Sequence, residues 1–362
     1  MTQTLTVLGV ETSCDETAAA VVRLSSSGVE VLSSVVASQI DAHIPYGGVV
    51  PEIAARAHVE VVDTIIERAL AEAGTGFADL SGIAATAGPG LVGGVMVGLS
   101  AAKAMAMARG LPLMAVNHLE GHAVSPRLEG AAPYPFLLLL VSGGHCQLLA
   151  VEEIGRYARL GSTIDDAAGE AFDKIAASLG LPYPGGPALE RLAAGGDASR
   201  FPLPRALLGR RDCDFSFSGL KTAAARMAEG IENDADRRDL AASVQAAIAR
   251  QLSERSERAM VLFAQTHAPA ERLFVVAGGV AANGAVRAAL QASATAHGFG
   301  FAAPPLKYCT DNAAMIALAG AERLAAGLVD GLDAAARPRW PLDEAAALAN
   351  PVHKPGRKGA KA

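Results

Sequence analysis

His118 and His122 lie four residues apart in Asn117-His118-Leu119-Glu120-Gly121-His122, so on a helix the two imidazoles share one face and can grip one metal ion. Imidazole suits zinc or iron(II), and two such ligands leave coordination positions open unless another protein group closes them. A carboxylate from elsewhere in the chain would complete a catalytic rather than a structural site. Asp311 is the best candidate, because in Cys309-Thr310-Asp311-Asn312 it stands just before the apolar helical run 313–324. Spacing alone leaves two plainer readings open. A His pair of this kind also fits a partly buried polar face, and Asp311 also fits a helix N-cap.

The elements that must position these residues follow the pattern of an α/β protein, with strands and helices alternating and the helices packed on sheets. Residues 5–10 and 18–23 read as two strands around the polar turn 11–17, and residues 136–141 and 147–151 repeat that plan around Ser142-Gly143-Gly144-His145. The chain therefore reads as two similar halves, each opening on a hairpin whose turn presents backbone N–H groups suited to phosphate or acyl oxygens. Pro51 starts a helix with apolar residues at helical spacing, and Gly74 ends it. A second helix over about 165–179 shows Asp166, Glu170 and Asp173 on one face. There a ribose or metal-water role stands beside an ordinary Glu170–Lys174 ion pair.

Tyr183-Pro184-Gly185-Gly186-Pro187 is a turn in which Gly186 would let a ligand approach the backbone. Arg205, Arg210, Arg211 and Lys221 surround Phe215-Ser216-Phe217-Ser218-Gly219, a mixture able to hold RNA phosphates and a stacked base, or simply a solvated loop. A long amphipathic helix follows over about 237–265. The strand 273–277 then runs into Gly278-Gly279-Val280-Ala281-Ala282-Asn283 and a further helix, the way nucleotide-binding sheets bring backbone against a purine or ribose. No phosphate-loop lysine motif is present, and Asn283 also suits a helix cap. Beyond Arg337 order is expected to decline into a basic, mobile tail over 350–362.

Composition sets the outer limits. With 362 residues, 51% of them apolar, the chain can bury a large core and is long enough for two lobes. The expected division is 1–110 for an N-terminal lobe, 111–336 for a C-terminal lobe carrying nucleotide and metal motifs, and 337–362 for an extension. Cys14, Cys146, Cys213 and Cys309 lie far apart without a Cys-x-x-Cys pair, which points away from a zinc ribbon or a secreted disulfide framework and toward the reducing cytoplasm. No signal peptide is expected at the N-terminus. The uncharged stretch 80–102 is long enough to span a bilayer, but its glycines and Pro89 read as strand, turn and helix, so no membrane role is expected. A net charge of −6 gives no overall attraction for nucleic acid, so contact with RNA requires a local basic patch or a second protein.

Ten ordered motifs spread along the chain closely resemble those of the TsaD (Gcp) family, the tRNA adenosine threonylcarbamoyltransferases. They are GVETSCDETAA (9–19), YGGVVPEIAARAH (46–58), GPGLVGGVMVGLSAAK (88–103), NHLEGH (117–122), LVSGGH (140–145), DDAAGEAFDK (165–174), YPGGP (183–187), FSFSGLKT (215–222), GGVAAN (278–283) and CTDNAAMIA (309–317). The resemblance implies the duplicated fold of actin, Hsp70 and sugar kinases (the ASKHA fold), with a ligand cleft between two lobes. It implies one divalent metal per subunit, Fe(2+) or Zn(2+), on His118, His122 and Asp311. It places the family's ligand positions on Leu140, Val141, Ser142, Gly143, Gly144, Asp173, Gly186 and Asn283. Cys146 departs from the threonine many relatives carry, but removes no ligand.

The reaction so implied moves a threonylcarbamoyl group from threonylcarbamoyl-AMP to N6 of the adenosine just 3′ of a tRNA anticodon, in tRNAs reading codons that begin with A, and releases AMP. The implied partners are tRNA, an inactive TsaB-like paralogue and a small TsaE-like ATPase. Two other classes remain as alternatives. A zinc metalloprotease would use two His and an acid, but the His-Glu-x-x-His pattern is absent, since Glu120 lies two residues after His118. An ATP-dependent small-molecule kinase of the same fold, or a nucleotide-gated binding module, is the other.

Overall fold

Both expected hairpins form, and each opens a five-stranded sheet. A computed structural model describes residues 4–130, 132–267 and 271–349. The first sheet contains β1 (Leu5–Glu11), β2 (Glu16–Ser25), β3 (Gly28–Ser38), β4 (Gly82–Gly88) and β5 (Leu113–Asn117), in the order β3-β2-β1-β4-β5. The second contains β6 (Phe136–Val141), β7 (Cys146–Glu153), β8 (Arg156–Ser162), β9 (Leu273–Ala277) and β10 (Gly300–Ala302), in the order β10-β9-β6-β7-β8. In each sheet three antiparallel strands form a meander and two parallel strands add to the other side of the first. The two halves are therefore one topology used twice. β1 and β6 are central and buried along their whole length, which explains near-continuous apolar runs where a one-sided sheet would alternate.

The helices in chain order are α1 (Ile40–His43), α2 (Pro51–Glu72), α3 (Val92–Arg109), α4 (His118–Val124), α5 (Ala168–Ser178), α6 (Gly185–Ala193), α7 (Ser218–Ala228), α8 (Asp234–Thr266), α9 (Gly284–Ala296), α10 (Ala313–Ala325) and α11 (Glu344–Ala349). α2 begins with Pro51 and ends before Gly74 at φ +59, the left-handed stop its sequence predicts. The uncharged run 80–102 divides between β4 and α3. No helix among the described residues is long and apolar enough to cross a membrane.

Two features join the halves. β5 is hydrogen-bonded into the first sheet although it follows residue 110. α10, which comes after the second sheet in sequence, packs back on the first sheet among β1, β2 and β4. Small residues permit that approach. A Cβ on Gly9 would stand 2.5 Å from Ala313 O and Ala317 N, and one on Gly320 would stand 2.4 Å from the Ala84 Cβ. The close seating of α10 fixes where Asp311, just ahead of it, must lie.

Past Arg337 the described chain continues to Ala349. Residues 330–349 form a strap held mostly through backbone groups. Arg337 N donates to Ala87 O at 2.7 Å, Gly90 N to Pro338 O at 3.3 Å and Asp330 N to Leu113 O at 2.8 Å. Further along, Arg159 N donates to Asp343 Oδ2 at 2.9 Å, so the strap touches both sheets. The basic tail expected over 350–362 lies outside the described residues.

Candidate metal centre and ligand cleft

α4 is a short helix whose start is fixed by Asn117. The Asn117 side chain accepts a hydrogen bond from Leu119 N at 2.9 Å, as an N-cap does, and donates through Nδ2 to Trp340 O at 2.9 Å. His118 opens the helix and His122 lies one turn on, with the two rings 4.7 Å apart and nearly perpendicular. His118 Nε2 is 3.5 Å and His122 Nε2 3.2 Å from the same oxygen, Asp311 Oδ1. All three ligand atoms fall within 4.8 Å of one another.

The surroundings test whether this cluster suits a metal. His118 Nδ1 lies 2.9 Å from Glu11 Oε2 and 3.1 Å from Ser13 Oγ. A carboxylate behind the imidazole favours a proton on Nδ1 and leaves Nε2, on the Asp311 side, as the atom a metal would take, the support that metal-binding histidines usually have. Glu11 is itself held, accepting from Ser13 N at 2.5 Å and from the Thr86 hydroxyl at 2.6 Å. Two imidazoles and one carboxylate with open positions are a donor set for zinc or iron(II), so the residues fit the group.

Burial and charge agree. Burial opposes the His118 cation, but Asp311 and Glu11 outweigh it and raise the imidazole pKa well above its ordinary value. Partial burial opposes ionisation of Asp311, yet His118 and His122 bring it well below the usual carboxylate range. At the cleft mouth of β2, burial and then the charges of Asp311 and Asp15 push Glu16 up to about 9.

His118 and Asp311 form part of the wall of a cleft of about 950 Å³. Ser142, Gly143, Gly144, Asp173, Gly186 and Asn283 also line it. A Cβ on Gly143, Gly144 or Gly279 would meet nothing within 4 Å, so these turns leave their backbone open to a ligand. Leu140 and Val141 are placed differently. Both are fully buried in β6, paired with β7, and their side chains join the two cores of the second sheet. Asp173 Oδ1 accepts from Gly185 N at 2.8 Å and Gly186 N at 3.3 Å, shaping the 183–187 turn, while burial raises its carboxyl pKa. Asn283 caps α9 by accepting from Val286 N at 3.0 Å and donates to Gln245 Oε1 at 3.0 Å.

The family model for TsaD, tRNA N6-adenosine threonylcarbamoyltransferase, matches residues 30–318. The chain belongs to the TsaD family. Two relatives carry the name tRNA N6-adenosine threonylcarbamoyltransferase over nearly their full length. That of Caulobacter vibrioides is 73% identical over 99% of this chain and 98% of its own, and that of Brucella canis is 59% identical over 98% and 99%. Among solved structures, HypF from T. kodakarensis matches 89% of this chain and 48% of its own with a TM-score of 0.60 at 15% identity. At that identity the likeness concerns the fold, and it is of the ASKHA type.

The aromatic-basic segment differs from the sequence reading. Phe215 and Phe217 are fully buried, their rings stacked 6.2 Å apart in the second core, because residue 215 bridges to Thr163 at the sheet edge. They offer no face to a base. The basic residues around them are largely met from within the chain: Arg205 by Glu254, Arg210 by Asp212 and Asp214, and Lys221 by Asp166. The Glu170–Lys174 pair is present at 2.6 Å, and Asp166 joins it at 3.0 Å. Sequence reasoning gave no role to Glu11, Ser13 or Asp165. Asp165 accepts from Phe217 N and Ser218 N and so ties the 215–219 segment to the start of α5. The one local signal was an acid ending the buried strand β1.

Proposed function

We propose that this chain transfers the threonylcarbamoyl group of threonylcarbamoyl-AMP to N6 of the adenosine just 3′ of a tRNA anticodon, releasing AMP. The carrying observation is the meeting of His118, His122 and Asp311, with His118 and Asp311 on the wall of a cleft whose turns include open glycine backbone and His122 buried behind them. A divalent iron or zinc ion held by those three residues would supply Lewis acidity at the carbamoyl carbonyl. Backbone N–H groups of Gly143 and Gly144 share the charge that develops as the amine adds, while Ser142 N closes the turn on His145 O at 2.8 Å. Asp173 binds ribose hydroxyls, and Gly186 with the turn 278–283 encloses the adenosine. Binding the AMP portion there positions the acyl carbon before the C–N bond forms and the C–O bond to phosphate breaks. Glu11 holds His118 in the tautomer the site requires.

The chain works as two lobes on either side of this cleft, in the cytoplasm, with a TsaB-like paralogue and a TsaE-like ATPase as partners. Four free cysteines suit a reducing compartment. A net charge of −6, with the 205–221 cations met by neighbouring acids, favours shared rather than solitary grip on tRNA.

Incubation of the metal-loaded protein and both partners with threonylcarbamoyl-AMP and unmodified tRNA is expected to give threonylcarbamoyladenosine and one AMP per modified nucleoside, read by mass spectrometry. Unmodified tRNA after that incubation, or phosphorylation of a sugar from ATP instead, would overturn the reading.

A further inference from the structure

α4 has a back as well as a front. His118 and His122 face Asp311, while Glu120 between them is turned away and buried. A buried carboxylate is costly unless its oxygens accept hydrogen bonds and its charge is met. Glu120 Oε1 accepts from the Tyr157 hydroxyl at 2.8 Å and from Gly155 N at 3.1 Å, both on the β7–β8 hairpin of the second sheet. Its Oε2 lies 3.2 Å from Arg323 Nη1, on α10, which packs on the first sheet. Arg323 reaches on to Asp330 at 3.5 Å, and Asp330 Oδ2 accepts from Ala115 N in β5 at 2.9 Å.

These contacts have a geometric consequence. The three metal-site residues come from two elements, α4 and the segment leading into α10. At the metal end the pair is joined by Asp311 and the imidazoles. At the other end, about 15 Å along α10 at roughly 1.5 Å per residue, it is joined by Glu120 and Arg323. Between the two points a Cβ on Gly121 would stand 2.7 Å from Ile316 Cδ1, so the helices touch directly. Leu119 and Ala123 meanwhile pack among Phe136, Leu138 and Leu149 of the second sheet. α4 is a joint between the sheets, and one carboxylate is bonded to both sides of it.

We propose that Glu120 is a positioning residue for the metal centre, tying α4 to α10 and to the β7–β8 hairpin so that the approach of His118 and His122 to Asp311 follows the seating of the two sheets. The inference rests on the metal reading above. Glu120→Gln keeps the side-chain shape but turns an amide donor toward Arg323. Full-length protein with this change is expected to remain folded and to bind zinc about 10–100-fold more weakly, the range of losses known for groups behind metal ligands. The measurement is competition with a chromophoric chelator, with the visible spectrum of the cobalt(II)-loaded protein as a second readout of ligand geometry. Tyr157→Phe removes one hydrogen bond only and is expected to give a smaller loss, which serves if Glu120→Gln does not fold. Zinc affinity within about twofold of the parent and an unchanged cobalt spectrum, in whichever of these variants is folded, would overturn the positioning role. A parent protein that bound neither metal would overturn the metal reading itself.

Discussion

His118→Ala is expected to abolish transfer to tRNA and strip the bound metal while leaving the fold intact. In the proposed site the imidazole would supply one of three ligand atoms, so its loss should exceed the about 10–100-fold weakening that changes behind a ligand cause. The fold should survive, because Glu11 keeps its hydrogen bonds from Ser13 N and Thr86 and forfeits only its imidazole partner. Such a loss costs about 1–3 kcal/mol against a typical stability of about 5–15 kcal/mol. Metal content by elemental analysis, urea unfolding and the tRNA assay test the three parts separately. Full transfer by a metal-free preparation of the variant would contradict the assignment. The parent should also show a pH signature. In the metal-free protein Asp311 and Glu11 overcome burial and raise the His118 pKa, so a proton occupies the ring that the metal needs. Metal binding expels that proton, and the apparent affinity is expected to climb as pH rises, by about tenfold per unit while one proton is released.

What could be read from the sequence is what local periodicity and spacing carry. The hairpins at β1–β2 and β6–β7 announce themselves by strand-length apolar runs broken at polar turns, and their likeness gives the duplication. The His118–His122 spacing fixes a shared helical face before any tertiary structure is known. Long-range placement is different. That α10 crosses back to the first sheet depends on Gly9 and Gly320 clearing its path, and nothing near residue 313 says so. Glu11 and Glu120 have partners as far as 107 residues away at His118 and 203 away at Arg323. Phe215 and Phe217 misled because charge around an aromatic resembles a nucleic-acid patch, whereas one strand bridge turns both rings inward. The strap 330–349 was invisible for another reason. Its attachments at 337, 338 and 340 use its own backbone groups, which leave no mark in residue type.

Gly88→Ala tests that strap and is expected to destabilise the protein by several kcal/mol. Gly88 has φ +135, a region costing a non-glycine residue about 1–3 kcal/mol, and its added Cβ would stand 1.9 Å from Arg337 O. Backbone sits on both sides of that contact, so relief requires the strap to lift. Lifting would break the bonds from Arg337 N to Ala87 O and from Gly90 N to Pro338 O, and take Trp340 O from Asn117, at about 0.5–1.5 kcal/mol each. Gly110→Ala is the matched control. Gly110 also has positive φ, +64, but a Cβ there would meet nothing within 4 Å, so it reports backbone strain without displacement. The urea midpoint should therefore fall much further for Gly88→Ala, with new protease cleavage near residues 336–340. Metal affinity should fall with it, since Asn117 caps the helix that carries both imidazoles. Equal losses for the two alanine variants, with no new cleavage, would mean that the strap rests on the body without bracing it.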